Sequence, residues 1–252
     1  MKTEGNTILI TGGATGIGLA LTEIFVKTGN EVVICGRRTE KLNEAKEKFP
    51  QIHIRACDIA DAGERKSLVE RTLARFGRLN VLVNNAGIQR EIDFRKGPAD
   101  LEADENEIDI NVTAPVHLSA LLLPHLMQQP EAAIVNITSG LGFAPLAIMP
   151  VYCATKAAMH SFSLSLRHQL NNTSVKVFEI IPPTVDTELD RGARAKRGQT
   201  DRGIKPEEVA AATMEALARD VYEAAIGRAQ FLREESRKQP DQLFKAMNDR
   251  SH

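Results

Sequence analysis

Short apolar runs alternate with longer amphipathic segments from one end of the chain to the other. The apolar runs are rich in β-branched residues, which favours strands, and the segments between them have the hydrophobic spacing of helices. Strands are predicted at residues 7–11, 31–35, 53–57, 81–84, 133–138, 175–181 and 222–226. Helices are predicted at residues 17–28, 39–49, 62–76, 101–128, 151–170 and 206–218. Uninterrupted apolar strands that alternate with helices indicate a parallel sheet buried on both faces.

Right-handed crossovers between such strands give a doubly wound α/β fold, that is, a seven-stranded parallel Rossmann sheet with helices on both faces. No linker, repeat or low-complexity tract divides the sequence, so we expect one domain over residues 1–252. Pro115 and Pro124 lie inside the predicted helix 101–128. They indicate a break, with two helices meeting near Asn111.

Composition narrows the class of partner. The chain has 32 Lys and Arg residues against 33 Asp and Glu residues, a formal net charge of −1, which gives no global attraction to nucleic acid or to a membrane. The apolar run near the N-terminus is too short for a signal peptide or a membrane span. We therefore expect a cytoplasmic protein that binds no nucleic acid and inserts into no membrane.

Cysteine and histidine add no metal or disulfide framework. The three cysteines, Cys35, Cys57 and Cys153, form no CxxC pair, so we predict buried free thiols in a reducing compartment. The histidines on helical patterns lack the spacing of metal ligands, and we predict no metal site. These histidines are His117, His125, His160 and His168.

A glycine-rich turn follows the first predicted strand, with Gly12, Gly16 and Gly18 in the spacing G-xxx-G-x-G. Glycine lets the backbone approach a phosphate closely, and the N–H groups at the start of the next helix attract an anion. A turn without any ligand would use the same residues. The position directly after the first strand favours nucleotide binding.

The end of the second strand indicates which dinucleotide is bound. Sites that bind NAD usually have an acid here, which accepts a hydrogen bond from the ribose 2′-hydroxyl. This chain has Arg37 and Arg38 instead, and guanidinium groups suit a 2′-phosphate. A solvated basic loop is the alternative. The residues favour NADP(H) over NAD(H), which stays possible.

Tyr152 and Lys156 are four residues apart at the start of the predicted helix 151–170, so their side chains lie on one helix face. A phenol with a pKa of about 10 is a poor base, and we expect the neighbouring ammonium, with the positive nicotinamide adding to it, to lower the pKa of Tyr152 toward about 7. Ser139 follows the fifth predicted strand. The carboxyl ends of parallel strands form the ligand side of such a sheet, so Ser139 is placed to hold a carbonyl oxygen.

The combined pattern resembles that of the short-chain dehydrogenase/reductase superfamily, in its short single-domain branch. The resemblance covers residues 7–187. It is carried by Thr11, Gly12, Gly16, Gly18, Asp58, Asn84, Asn85, Ala86, Gly87, Asn111, Ser139, Tyr152 and Lys156. It implies an NADP(H)-dependent oxidoreductase that transfers a hydride between the nicotinamide and a small carbonyl or alcohol substrate.

The resemblance also implies residue roles. Tyr152 would be the general acid/base, and Lys156 would lower its pKa and bind the ribose hydroxyls. Ser139 would orient the carbonyl, and Asn111 would anchor a water of a proton relay. The implied cofactor-binding residues are Gly12, Thr15, Gly16, Ile17, Gly18, Arg37, Arg38, Asp58, Ile59, Asn85, Ala86, Gly87, Tyr152, Lys156, Pro182, Val185 and Thr187.

One departure from the family pattern lies after the sixth strand, where Pro183 stands in place of the usual glycine. The loop is therefore stiffer and has one N–H fewer, which affects the expected role of Thr187 at the carboxamide. The Pro182-Pro183 pair and the arginine-rich ending resemble a bacterial subgroup named after lipoteichoic-acid D-alanylation. That subgroup carries no information about the substrate.

Two segments beyond the motifs are predicted to have roles of their own. Residues 188–205 are expected to form a mobile substrate lid, either a solvated loop or a clamp for an anionic substrate. Its basic residues are Arg191, Arg194, Lys196, Arg197, Arg202 and Lys205. Residues 229–249 are expected to form a C-terminal helical segment. It would pack on the domain or on a partner subunit.

Other assemblies and functions remain open at this level. The resemblance implies that the helices around residues 118–127 and 159–170 pair between subunits, giving a homodimer or homotetramer; alternatively, they only cover the sheet. A catalytically silent dinucleotide-binding regulator is the alternative function. An epimerase or dehydratase of the extended branch fits less well, since that branch spaces its glycines differently and has a larger C-terminal substrate domain.

Overall fold

The computed structural model describes residues 1–102, 105–190, 192–198 and 200–249. Seven strands form one parallel sheet in the order β3-β2-β1-β4-β5-β6-β7. The strands are β1 Thr7–Thr11, β2 Glu31–Gly36, β3 His53–Ala56, β4 Leu79–Asn84, β5 Ala132–Ile137, β6 Val175–Ile181 and β7 Glu223–Ala225. The prediction of a doubly wound, seven-stranded parallel sheet is confirmed.

Helices connect the strands and cover both faces. They are α1 Gly16–Lys27, α2 Thr39–Lys48, α3 Ala62–Arg75, α4 Ala99–Glu102, α5 Ala114–Leu126, α6 Pro150–Gln169, α7 Ala193–Lys196, α8 Pro206–Ala218, α9 Arg228–Lys238 and α10 Pro240–Asn248. Short 3-10 turns lie at Phe94–Lys96, Gly140–Gly142 and Glu188–Asp190. The helices α9 and α10 correspond to the C-terminal helical segment expected over residues 229–249.

Strand β1 pairs with β2 on one side and with β4 on the other, so the strand order reverses at this point. Helices that leave the two strands turn to opposite faces, which opens a crevice at the carboxyl edge of the sheet. The glycine-rich turn after β1 and the Asn84–Gly87 loop after β4 therefore meet at one place. This geometry positions the site described below.

Two hydrophobic cores hold the layers together. One packs α1, α2 and α8 on the sheet and includes Phe25, Leu42 and Val209. The other packs α3, α5 and α6 on the opposite face and includes Leu68 and Leu122, together with other buried side chains of those helices. Every residue of β1 and of β5 is buried, as expected for central strands covered on both faces.

The expected break near Asn111 takes another form. A π-helical turn, Asp109–Thr113, runs directly into α5, so the two segments are continuous rather than two helices that meet. The Ala114 N–H bonds the Asp109 carbonyl across the turn. Pro115 has no N–H for the Asn111 carbonyl, which is compatible with a widened turn at this point. Pro124 is wrongly predicted to break the helix, because α5 extends to Leu126.

The three cysteines are free and buried, as predicted. Burial raises the pKa of the Cys57 thiol to about 11 and also raises the pKa values of Cys35 and Cys153. None of the helices in the described ranges combines the length and the apolar character that a membrane span requires.

Candidate active site

A cleft of about 800 Å³ opens at the carboxyl edge of the sheet, where the strand order reverses. Most of the predicted cofactor-binding residues line it. They are Gly12, Thr15, Gly16, Ile17, Arg37, Arg38, Asp58, Ile59, Asn85, Ala86, Gly87 and Thr187. Because the loops after β1, β2, β3 and β4 all contribute, the cleft spans the width expected for an extended dinucleotide.

The glycine turn is packed so closely that it has no room for a side chain at Gly16 or Gly18. Gly16 has a positive φ of 52°, and a Cβ built on it would lie 2.9 Å from the Thr187 methyl carbon. A Cβ on Gly18 would lie 2.0 Å from the Gly12 carbonyl oxygen, so Gly18 serves the packing of α1 against the turn. It does not line the cleft, which differs from its predicted role. The turn leaves backbone rather than side chain facing the cavity at the start of α1.

Side chains after β1 and β4 lock these two loops together. The Thr11 hydroxyl accepts hydrogen bonds from the backbone N–H groups of Asn85 at 3.0 Å and of Ala86 at 3.1 Å. In return, the Asn85 amide donates to the carbonyls of Thr11 at 3.0 Å and Gly12 at 3.2 Å. Thr11 is thus a structural part of the site, although it was not predicted to bind the cofactor.

The two arginines after β2 reach the cleft from its rim and already contact acids. Arg37 forms an ion pair with Glu105. Arg38 lies 3.4 Å from a Glu188 carboxylate oxygen and donates to the Thr15 hydroxyl at 3.2 Å. Both guanidinium groups are about half exposed, with 41% and 52% of the side chain accessible. They can exchange these carboxylates for another anion, because surface ion pairs contribute little energy.

Asp58 and Ile59 line the cleft after β3, and the Asp58 carboxylate accepts from the Ala60 backbone N–H at 2.9 Å. Lys41, one turn beyond Arg38 on α2, also lines the cleft. The sequence analysis did not predict Lys41 as a cleft residue, although a lysine one helical turn after two arginines could have indicated it. The rim after β2 therefore holds three positive charges.

Asn111 lies in the π-helical turn, and both the amide and the carbonyl group of its side chain form hydrogen bonds. Its amide donates to the Ile88 carbonyl at 2.9 Å and to the Thr155 hydroxyl at 3.1 Å. Its carbonyl oxygen accepts from the Ile88 N–H at 2.9 Å. These bonds fix the loop after β4 against α6, and Thr155 in turn donates to the Tyr152 carbonyl at 2.7 Å.

Tyr152 is buried beside Ser139, and the two side chains are hydrogen-bonded. Burial raises the pKa of Tyr152 well above its usual value, the bond from Ser139 opposes that rise, and Cys153 and Glu107 add to it. In the protein without cofactor, this pKa is therefore not lowered toward neutrality, because desolvation of the phenol prevails.

Lys156 is 6% exposed and donates to the Ile137 carbonyl oxygen at 3.0 Å. Its Nζ lies 5.6 Å from the centroid of the Tyr152 ring. Burial lowers the pKa of Lys156 to about 8, and the charge of Glu179 opposes that decrease. The four predicted catalytic residues are thus brought together, since Asn111 also reaches Thr155 on the same helix as Tyr152 and Lys156.

The loop after β6 closes the other side of the site. Thr187 lines the cleft, whereas Pro182 and Val185 are buried behind it, in contrast to their predicted role. The Pro182 carbonyl accepts from the Gly140 N–H at 3.0 Å, and Val185 pairs with Ile204 in an isolated bridge. These two residues fix the shape of the loop rather than its surface.

Arginines of the predicted lid also have acidic partners. Arg197 pairs with Glu91, and Arg202 lies 3.1 Å from an Asp186 carboxylate oxygen. Arg194 lines the cleft. Arg191, part of the predicted basic cluster, lies outside the described residues. An anion bound by these arginines would displace their carboxylates, as a phosphate would at Arg37 and Arg38, so the ion pairs do not decide between a solvated loop and an anion clamp.

One further cluster lies behind the predicted catalytic residues. His160, Glu179 and Glu223 bring their ligand atoms within 4.8 Å of one another. Glu179 is fully buried in β6, and sequence reasoning missed it. The position of Glu179 within a strand does not indicate a role, because only the packing of α6 on β6 shows that its carboxylate contacts His160.

Comparison with known proteins agrees with this geometry. The short chain dehydrogenase family model matches residues 6–198. The chain is 55% identical over 248 residues to the uncharacterized oxidoreductase DltE of Bacillus subtilis, covering 98% of each chain. It is 32% identical over 214 residues to the NADP-dependent 3-hydroxy acid dehydrogenase YdfG of Escherichia coli, covering 81% of this chain and 86% of the relative.

Solved structures give the same relation. The closed form of a serine dehydrogenase complexed with NADP+ superposes with a TM-score of 0.76 at 31% identity, over 84% of this chain and 88% of that chain. The cleft at the strand reversal, the glycine turn and the Tyr152–Lys156 pair occur here in the chain that the family model matches. The chain belongs to the short-chain dehydrogenase family and is an oxidoreductase of that family.

Proposed function

We propose that the protein is an NADP(H)-dependent oxidoreductase that transfers a hydride between the nicotinamide and a carbonyl or alcohol substrate. The observation that carries the proposal is the cleft itself. It combines a glycine-rich turn at the start of α1 with Arg37 and Arg38 at its rim, and it lies beside the Tyr152–Lys156 pair. The relative named as NADP-dependent, and the structure solved with NADP+, support the same cofactor.

The residues present fit a dinucleotide with a 2′-phosphate. The N–H groups at the start of α1 are placed for the pyrophosphate, and the guanidinium groups of Arg37 and Arg38 for the 2′-phosphate. Asp58 and Ile59 would border the adenine, and Asn85 with Gly87 the ribose region. When bound, the cofactor supplies or accepts the hydride.

The chain's own residues would move the proton. Ser139 holds the substrate oxygen by a hydrogen bond, and Tyr152 gives a proton to that oxygen during reduction or removes it during oxidation. Lys156 adds a positive charge near the phenol. Because burial raises the pKa of Tyr152 in the protein alone, a reactive phenolate needs more positive charge than Lys156 provides. Asn111 supports the relay that returns the proton to solvent.

Residues 188–205 would act as the substrate lid of a single domain. They contain the Glu188–Asp190 turn and helix α7, and Thr187 at their start contacts the glycine turn. Glycines with positive φ at positions 192, 198 and 203 provide bending points. Two relatives are a 3-hydroxy acid dehydrogenase and a serine dehydrogenase, so 3-hydroxy acids, serine included, are the first substrates to test.

The test begins with titration of the purified protein with NADPH and with NADH, followed by fluorescence. We expect clearly tighter binding of NADPH, and substitution of Arg37 and Arg38 by alanine should remove the difference. A preference for NADH would contradict the NADP(H) proposal.

The substitution Tyr152→Phe tests the chemistry. It should lower kcat by about 100-fold or more, because the proton donor is lost, while NADPH affinity stays near that of the native enzyme. Turnover that survives this change would contradict the catalytic role of Tyr152. If the native protein and Tyr152→Phe both bind NADPH but neither turns over a substrate, and the effect of the protein in cells survives the substitution, the result would support a dinucleotide-binding regulator instead.

A further inference from the structure

We propose that Glu179 is a positioning residue of the reaction, a buried carboxylate that keeps the Lys156 ammonium charged and in place beneath Tyr152. The inference rests on the role proposed above for Lys156. Glu179 is no part of the cleft and touches neither the substrate side of Ser139 nor the glycine turn. Its contribution is electrostatic and acts through Lys156.

The placement of the carboxylate comes from the sheet. Glu179 lies in β6, where its Cα pairs with that of Asn136 in β5, and its exposed fraction is 0%. The Thr138 hydroxyl donates to Glu179 Oε1 at 2.8 Å. Thr138 follows Ile137, whose carbonyl oxygen accepts the hydrogen bond from Lys156 Nζ. The ammonium and the carboxylate are therefore anchored to consecutive residues at the end of β5.

Helix α6 supplies the second anchor. His160 lies one turn after Lys156, and its Nδ1 is 2.8 Å from Glu179 Oε2. Both carboxylate oxygens thus have fixed partners. A buried carboxylate without partners would be costly, so this full set of hydrogen bonds holds a charge in the interior.

The ionisable groups around Glu179 come from three elements. Helix α6 presents Lys156 and His160, β7 presents Glu223, and α9 presents Arg233, which lies 2.7 Å from a Glu223 oxygen. The charged groups Lys156, Glu179, Glu223 and Arg233 lead from the active site toward β7, with the His160 ring close to both carboxylates. The spacing of His160 and the two carboxylates could suit a cation, but Arg233 already pairs with Glu223, so we assign no metal here.

The electrostatic effect has a definite direction. Burial alone lowers the pKa of Lys156, and the negative charge of Glu179 raises it again, giving a pKa of about 8. Without the carboxylate, the lysine would lose its proton at a lower pH. The protonated form is the active one, so activity that depends on it falls as the pH rises through the pKa of Lys156.

The experiment compares native enzyme with Glu179→Gln, which keeps the size of the side chain and an acceptor for Thr138 but removes the charge. The alkaline limb of the kcat/KM profile should move to lower pH. At pH 8, kcat/KM should fall by about threefold or more, with a smaller loss at pH 6. Glu223→Gln is the matched control, since Glu223 pairs with Arg233, and its alkaline limb should stay in place.

A second readout needs no turnover. The Lys156 Cε resonance, labelled with ¹³C and assigned through Lys156→Met, reports its pKa directly, and this value should be lower in Glu179→Gln. Glu179→Asp keeps the charge and should give an intermediate value; it carries the test if the Gln variant does not fold. An unchanged Lys156 titration overturns the inference even if Tyr152→Phe is inactive. A shifted titration with no effect of Tyr152→Phe overturns the proposed function alone.

Discussion

Lys156 is an ammonium group enclosed by protein, and enclosure has a thermodynamic consequence. Its pKa of about 8 lies below its ordinary value of 10.5, so between these pH values the unfolded chain binds more protons than the folded one. The free energy of unfolding therefore rises with pH across this window. Below pH 8 the penalty of the buried charge is present in full.

Comparison of the native protein with Lys156→Met isolates this effect. As the pH rises from about 7 to 10.5, the stability of the native protein relative to the variant should increase by about 3 kcal/mol. Urea unfolding of both proteins at several pH values measures the difference. A difference that stays constant with pH would mean that Lys156 is not desolvated as described.

Spacing and strand-end positions in the sequence indicated Tyr152, Lys156 and Ser139 as candidates, and the family resemblance added Asn111. The pKa of Tyr152 could not be predicted from the sequence, because the burial of its phenol depends on side chains from distant segments. Gly18, in the first turn of α1, and Pro182 and Val185, in the loop after β6, do not line the cleft. Which side of a loop faces a cavity is decided by packing, which no local pattern records.

At the scale of elements, the π-turn Asp109–Thr113 is held by the Asn111 side chain. Asn111→Ala removes the partners of the Ile88 N–H and carbonyl, and burial makes such losses costly. We expect the free energy of unfolding to fall by about 2–4 kcal/mol and kcat to fall by about 10-fold or more. Thr113→Ala, in the same turn but exposed, is the control. Equal effects of the two substitutions would argue against an anchoring role.

The lid segment offers a second test at this scale. Glu91, on the loop after β4, pairs with Arg197 of the lid. Glu91→Gln should loosen residues 188–205 and speed their cleavage by trypsin by up to about fivefold, since such a pair contributes at most about 1 kcal/mol. Glu215→Gln, which breaks the pair with Arg219 on α8, should leave cleavage unchanged. Cleavage equally slow in all three proteins would mean that this pair does not restrain the lid.

Strand and helix positions were predicted to within one or two residues for most elements, because buried strands of a parallel sheet are apolar throughout. The largest error was the long segment 101–128. Its two prolines indicated a break, yet Pro124 lies on the exposed side near the end of α5, where loss of one N–H costs little.

For the whole molecule, the outward faces of α5 and α6 are the surfaces on which we expect subunits to pair. Leu164 on α6 is 43% exposed and Met127 at the end of α5 is 45% exposed. Light scattering at micromolar concentration should show a dimer or tetramer. Leu164→Glu should shift it to smaller species, because a charge there opposes burial. Phe94→Glu, at a 57% exposed position outside these helices and outside the C-terminal segment, serves as the control, and a monomeric native protein would contradict the expectation.

The burial of all three native thiols makes the molecule convenient for site-directed labelling. Cys35, Cys57 and Cys153 are enclosed and their pKa values are raised, so maleimide reagents at neutral pH should react with them slowly. A cysteine introduced at an exposed lid position, such as Lys196, can then carry a single fluorophore without removal of any native residue. The fluorophore would thereby test the proposed movement of this segment in real time in the otherwise native protein.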